Sequence, residues 1–150
     1  MKPFRFSLEK VLKVRQVETM KAKQSLASSQ LVAGQAWVSM ERARAARIAF
    51  EAEWEERRKR RMSAKDWVES GERHEGLIQS EKNAADSLHK ALRIVAEKRA
   101  ELEEAERREK ALDKLREQQY EAHEYQERAE EQAVTDEIAQ NVRRVAKGVG

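Results

Sequence analysis

Proline occurs once in this 150-residue chain, at Pro3. Every later residue keeps its backbone N–H and a free φ, so nothing beyond the first few residues breaks a helix through proline. Glycine is also scarce. There are five, and two of them, Gly148 and Gly150, lie at the tail. Ala, Glu, Leu, Lys and Arg together supply 87 residues, above the roughly one half expected of coiled coils and long helices. Charged residues make up 39% of the chain and aromatics 5%. So charged a chain could be disordered. Here the charge is mixed in sign, helix formers dominate and the apolar residues are periodic. The expected class is all-α. An alanine-rich apolar set suits a narrow seam between two helices better than a deep core that encloses a substrate.

Stepping alternately by four and three residues traces one seam on the first helix. It runs Leu8, Leu12, Arg15, Thr19, Ala22, Leu26, Ser29, Ala33, Ala36, Met40, Ala43, Arg47, Phe50 and Trp54. It is small in the middle and bulky near Phe50 and Trp54. Ser7 is the expected N-cap. A break is expected at about residues 58–65, where a uniformly basic block gives way to Ser63-Ala64-Lys65-Asp66. Ser63 can cap a new helix, and Asp66 stands where an acidic side chain reaches back. The alternative is one continuous helix through the basic block. The second helix starts near residue 64 and carries Trp67, Gly71, His74, Ile78, Glu81, Ala85, Leu88, Leu92, Val95, Arg99 and Leu102 on its seam. Two successive three-residue steps from 99 to 105 resemble a stammer.

These features predict one domain over residues 1–150, an antiparallel two-helix coiled-coil hairpin. Its first helix covers about 7–58 and its second about 64–145. Facing residues then sum to roughly 124, which sets Phe4 against Tyr120, Leu12 against Leu112 and Phe50 against His74. The second helix is longer. Beyond about residue 122 it overhangs by roughly twenty residues, leaving Val134, Ile138, Val142 and Val145 exposed as a candidate contact surface. Charge placement favours the antiparallel pairing. Through Ala33 there are seven cations against two anions, whereas Glu97 to Glu131 is richer in acid.

Little in the sequence suggests catalysis. His74, His89 and His123 are far apart and lack metal-ligand spacing. Carboxylate pairs such as Glu103-Glu104 read as solvated faces, and no glycine loop cradles a phosphate. No catalytic residue, metal ligand, cofactor or small-molecule substrate is expected. There are no cysteines, so disulfides are excluded. No apolar stretch approaches the roughly 20 residues of a membrane span, and the N-terminus has no apolar signal region. A cytoplasmic protein is the expectation. The basic turn Arg57, Arg58, Lys59, Arg60 and Arg61 lacks interleaved aromatics, which argues against nucleic acid. Trp54 and Trp67 flank that turn and are expected to pack on each other and close the hairpin.

The opening Phe4-Arg5-Phe6-Ser7-Leu8-Glu9-Lys10-Val11-Leu12-Lys13 resembles the start of the flagellar FliJ proteins, which read aromatic-x-aromatic-x-Leu-x-x-Val-Leu and then a basic residue. The later Glu109-Lys110-Ala111-Leu112-Asp113-Lys114-Leu115 is similar to that family's Glu-Lys-x-Leu-(Asp/Glu)-x-Leu pattern. The resemblance implies a soluble, non-enzymatic component of the flagellar type III export apparatus, peripheral at the inner face of the membrane near the flagellar base. The implied partners are the hexameric export ATPase, which the stalk-like coiled coil enters, the membrane export gate and export chaperones. The motif carries the ATPase-facing tip onto Phe4, Phe6, Leu8, Val11 and Leu12, with the overhang residues Val134, Ile138 and Val142 beside them. The gate contact falls at Leu77, early on the second helix. Competing readings are a structural coiled-coil scaffold, or a basic helix that binds nucleic acid or a membrane surface.

Overall fold

The computed structural model describes residues 2–149. Two helices account for most of them: α1, Glu9–Arg58, and α2, Ala64–Val149. They fold back on each other as an antiparallel hairpin with α2 the longer, which rejects the single continuous helix. By contacts the chain divides into two units, Met1–Thr19 with Ala105–Gly150, and Met20–Glu104.

The second unit contains the turn. Residues 59–63 connect the helices, as the sequence predicts. The α2 cap also forms as expected. The backbone N–H of Asp66 donates to Ser63 Oγ at 3.1 Å, and that of Trp67 donates to the Ser63 carbonyl at 3.0 Å. Ser63 thus satisfies two donors that a helix start leaves orphaned. Beside the turn the Trp54 and Trp67 ring centroids lie 6.0 Å apart. Phe50 packs on Trp54 at 5.9 Å and stacks on His74 at 6.1 Å.

In both units every predicted seam position of α1 is buried or half-buried. Polar members are tolerated because they bond to their own helix. Thr19 Oγ1 donates to the Arg15 carbonyl at 3.0 Å, and Ser29 Oγ to the Leu26 carbonyl at 2.7 Å. Such back-bonding satisfies a buried hydroxyl without a partner on the other helix.

On α2 the predicted seam needs correction. The predicted Gly71, His74, Glu81, Ala85, Leu88, Val95 and Leu102 are covered, but the unbroken alternation of four and three among covered positions runs Ser70, His74, Leu77, Glu81, Ala84, Leu88, Ala91, Val95, Lys98 and Leu102. Ala91 is 6% exposed while its bulky neighbour Leu92 is 49% exposed. Ile78 and Arg99 are likewise exposed, and no double three-residue step occurs at residues 99–105. In a two-helix seam the heptad phase decides which residue faces the partner, and side-chain size does not.

The first unit contains the N-terminal segment. Residues 2–6 are not helical, and α1 starts at Glu9 rather than at Ser7. The Glu9 N–H donates to the Phe6 carbonyl at 3.2 Å and the Leu12 N–H to the Leu8 carbonyl at 2.9 Å. Leu8 therefore occupies the cap position expected of Ser7. At the other end α2 continues to Val149 instead of stopping near residue 145; nothing before Gly148 interrupts it.

Candidate partner-binding surfaces

In the first unit, the aromatic motif at the N-terminus is mainly a packing device. Phe4 meets Tyr120 edge-on at 5.2 Å and His123 at 5.6 Å. Phe6 and Leu12 are buried, Leu8 is half-buried, and only Val11 of the motif is exposed. Arg116 Nε donates to Glu9 at 3.2 Å. This ion pair has the reverse polarity of the basic-arm, acidic-stretch pairing that charge counting suggests.

The uncovered part of α2 begins later than expected. His123, Glu124 and Glu127 are half-buried, whereas every residue from Arg128 to Gly148 is exposed. The reason is geometric. Residues 2–6 are not helical, and a residue outside a helix can advance up to about 3.3 Å against about 1.5 Å within one, so this segment can reach further along α2 than a helical turn would. Past that point Val134, Ile138, Val142 and Val145 are each more than half exposed. Ile138, Asn141, Val142 and Val145 line an open apolar groove. The predicted tip therefore separates into two parts. Phe4, Phe6, Leu8 and Leu12 are brought together against α2, while Val134, Ile138 and Val142 stand bare beyond them.

In the second unit, the basic turn splits as well. Arg57 and Arg58 end α1, where cations complement the carbonyl end of a helix. Arg58 lies over the Trp54 ring at 4.5 Å and Arg57 over Phe50 at 5.9 Å. Arg73 approaches the same Phe50 ring at 5.4 Å. Lys59 pairs with Glu56 at 3.2 Å. Arg60 and Arg61 form no ion pair among the described residues.

A polar cluster that sequence reasoning missed lies next to these rings. Arg47 donates to both carboxylate oxygens of Glu51 at 3.0 Å and also bonds Glu81 across the seam. His74 Nε2 sits 2.9 Å from Glu51. The hydrogen bond from His74, reinforced by Arg47, holds the Glu51 carboxyl below the usual glutamate range. The hydrogen bonds that Arg47 donates to Glu81 and Glu51 push its guanidinium up, further from any deprotonation. Facing residues that sum to roughly 124 would have paired these side chains had charged seam positions been matched. Leu77 is half-buried on the seam, and the neighbouring Ile78 is exposed instead.

Among the described residues no group of His, Asp or Glu is placed to hold a metal ion, and no helix is long and apolar enough to cross a membrane. Open grooves run along the helix faces, among them those at Phe4 with Tyr120 and at Ile138 with Val142. A family model described as flagellar FliJ protein matches residues 4–147. The chain belongs to the FliJ family. No curated protein and no solved structure matches it. As a FliJ-family protein it is a component of the flagellar export apparatus, and the family is non-catalytic. The N-terminal motif and the Glu109 to Leu115 stretch, which suggest this family in the sequence, both lie within the matched residues. In this FliJ-family chain they belong to the same unit, where Phe4 packs against α2 just past that stretch.

Proposed function

We propose that this chain acts without catalysis as a coiled-coil partner of the hexameric export ATPase, and that it links the ATPase to the export gate and to substrate chaperones. The observation that supports ATPase docking is the bare stripe Val134, Ile138, Val142 and Val145 on α2. It lies past the segment that residues 2–6 cover. A monomer gains nothing from a continuous exposed apolar stripe, so a stripe of this kind marks a contact surface. Lys2, Arg5, Lys10 and Lys13 in the same unit are exposed and favour an acidic lining on the partner. Such charges set orientation and on-rate more than affinity.

The gate contact is assigned to the start of α2 around Leu77, where the exposed Ile78 offers the accessible apolar surface. Residence at the inner face of the membrane then follows from the partners. The ATPase contact is tested with the double variant Ile138→Ala, Val142→Ala. Both positions are exposed, so the melting curve stays within about 0.5 kcal/mol of wild type. Affinity for the purified ATPase, measured by biolayer interferometry, should fall at least about tenfold. Unchanged affinity would move the docking site to the basic turn at Arg57–Arg61. The purified chain should hydrolyse no ATP; turnover that survives stringent purification would refute the non-catalytic role.

A further inference from the structure

From Gln24 to Met40 the chain has seventeen consecutive residues without a charge, in a protein that is 39% charged. No other uncharged run approaches that length. The seam accounts for only part of it. Leu26, Ser29, Ala33, Ala36 and Met40 face α2 and are covered. On the outward side of the same helix, Ala27, Leu31, Gly34 and Val38 recur at alternating steps of four and three. This is a second heptad stripe, turned away from the hairpin. Leu31 is 65% exposed and the adjacent Trp37 54%.

These residues are poor choices for an exposed helix. Gly, Val and Trp form helices less well than the Glu, Lys and Arg found elsewhere in the chain. Gly34 has nothing within 4 Å of the position a Cβ would occupy, so no neighbour within the hairpin requires its small size. A small residue beside exposed Leu31 and Val38 gives a hole next to two knobs, the relief that a second helix packs into.

Charge identifies what fits. The uncharged window is bracketed by the cations Lys21 and Lys23 on one side and, past the half-buried Glu41 that ends it, by the cations Arg42 and Arg44 on the other. All four are exposed and none forms an ion pair among the described residues. Two copies pairing antiparallel about the patch centre would set Lys21 and Lys23 against Arg42 and Arg44 of the second copy. Parallel pairing would set each cation against itself. Glu41 offsets one charge at its end, yet both arrangements set net positive ends against each other, which opposes association. Carboxylates on an incoming helix would instead meet cations at both ends.

We propose that the outward face of α1 from Ala27 to Val38 is a docking surface for an amphipathic helix of another protein, with carboxylates flanking its apolar face. The window is about 25 Å long, which matches a helix of four to five turns. This surface is separate from the α2 stripe assigned to the ATPase, so the two fail independently.

The probe is a synthetic helix of about 21 residues, three heptads, with leucine and alanine at its apolar positions and glutamate on both flanks. Its twin carries lysine on the flanks. Binding of each labelled peptide to the full chain is followed by fluorescence anisotropy. The glutamate peptide should bind at least about tenfold more tightly than its twin, with the gap narrowing as salt rises. Leu31→Asp with Val38→Asp should abolish that binding and leave the melting curve unchanged, because both positions face solvent. Ile138→Ala with Val142→Ala should leave peptide binding intact. Equal binding of the two peptides overturns the charge argument, and wild-type binding by the Leu31 and Val38 variant overturns the site. A dimer in sedimentation that this double variant dissolves would assign the face to a second copy and refute the acidic helix.

Discussion

Leu12→Ala separates the folding role of the N-terminal motif from its binding role. Leu12 is 3% exposed, so the change removes three carbons from an almost fully covered site. At about 0.8 kcal/mol per buried carbon, the transfer loss is near 2.4 kcal/mol. A two-helix seam adds little for a cavity, because water reaches the gap from the sides. The total therefore stays at the low end of the roughly 2–5 kcal/mol seen for Leu→Ala in cores. A loss of about 2.5 kcal/mol lowers the folding constant roughly 60-fold. Urea denaturation followed by far-ultraviolet circular dichroism measures it, with the exposed Val11→Ala as control, expected within about 0.5 kcal/mol of wild type. At temperatures where Leu12→Ala stays folded, it should bind the export ATPase nearly as wild type does, unlike the Ile138 and Val142 variant. A Leu12→Ala loss below about 1 kcal/mol, or one no larger than that of Val11→Ala, would refute the seam as drawn.

Three further outcomes follow from local geometry. Ser63→Ala removes the acceptor of the Asp66 N–H and should cost about 1 kcal/mol in the same denaturation assay, with Ser63→Asp retaining most of it. Gly76→Ala meets no atom within 4 Å and should stabilise the chain by up to about 1 kcal/mol, read as a higher urea midpoint at constant slope. Glu51 has its folded pKa held below the ordinary value of 4.5 by His74 and Arg47, so its contribution is present above about pH 4.5 and lost as pH falls through the folded value. Glu51→Gln should therefore be less stable than wild type at neutral pH, and the difference in melting temperature should shrink below pH 4.5.

The hairpin was legible because two constraints act along the whole chain. Proline stops at Pro3, and the α1 seam keeps one phase from Leu8 to Trp54; the turn and the Ser63 cap follow from the same reading. On α2 the seam is harder to place where two apolar residues stand in adjacent positions. Leu92 looks like a better core residue than Ala91, and Ile78 is as bulky as Leu77, yet heptad phase places Ala91 and Leu77 inward. The late start of the overhang is not legible either, because it depends on residues 2–6 not being helical, which hydrophobic periodicity does not report. Binding surfaces are harder to read for a related reason. Folding of a two-helix coil constrains the inward positions strongly and the outward ones hardly at all. Selection for solubility and helix propensity should then fill outward positions with Glu, Lys and Arg, as in most of α2. Where outward positions depart from that pattern, as at Leu31, Gly34 and Val38 on α1 or Ile138 and Val142 on α2, the fold supplies no reason for the departure. Contact with another molecule is the remaining physical source of such a preference, so the outward positions carry most of the information about partners.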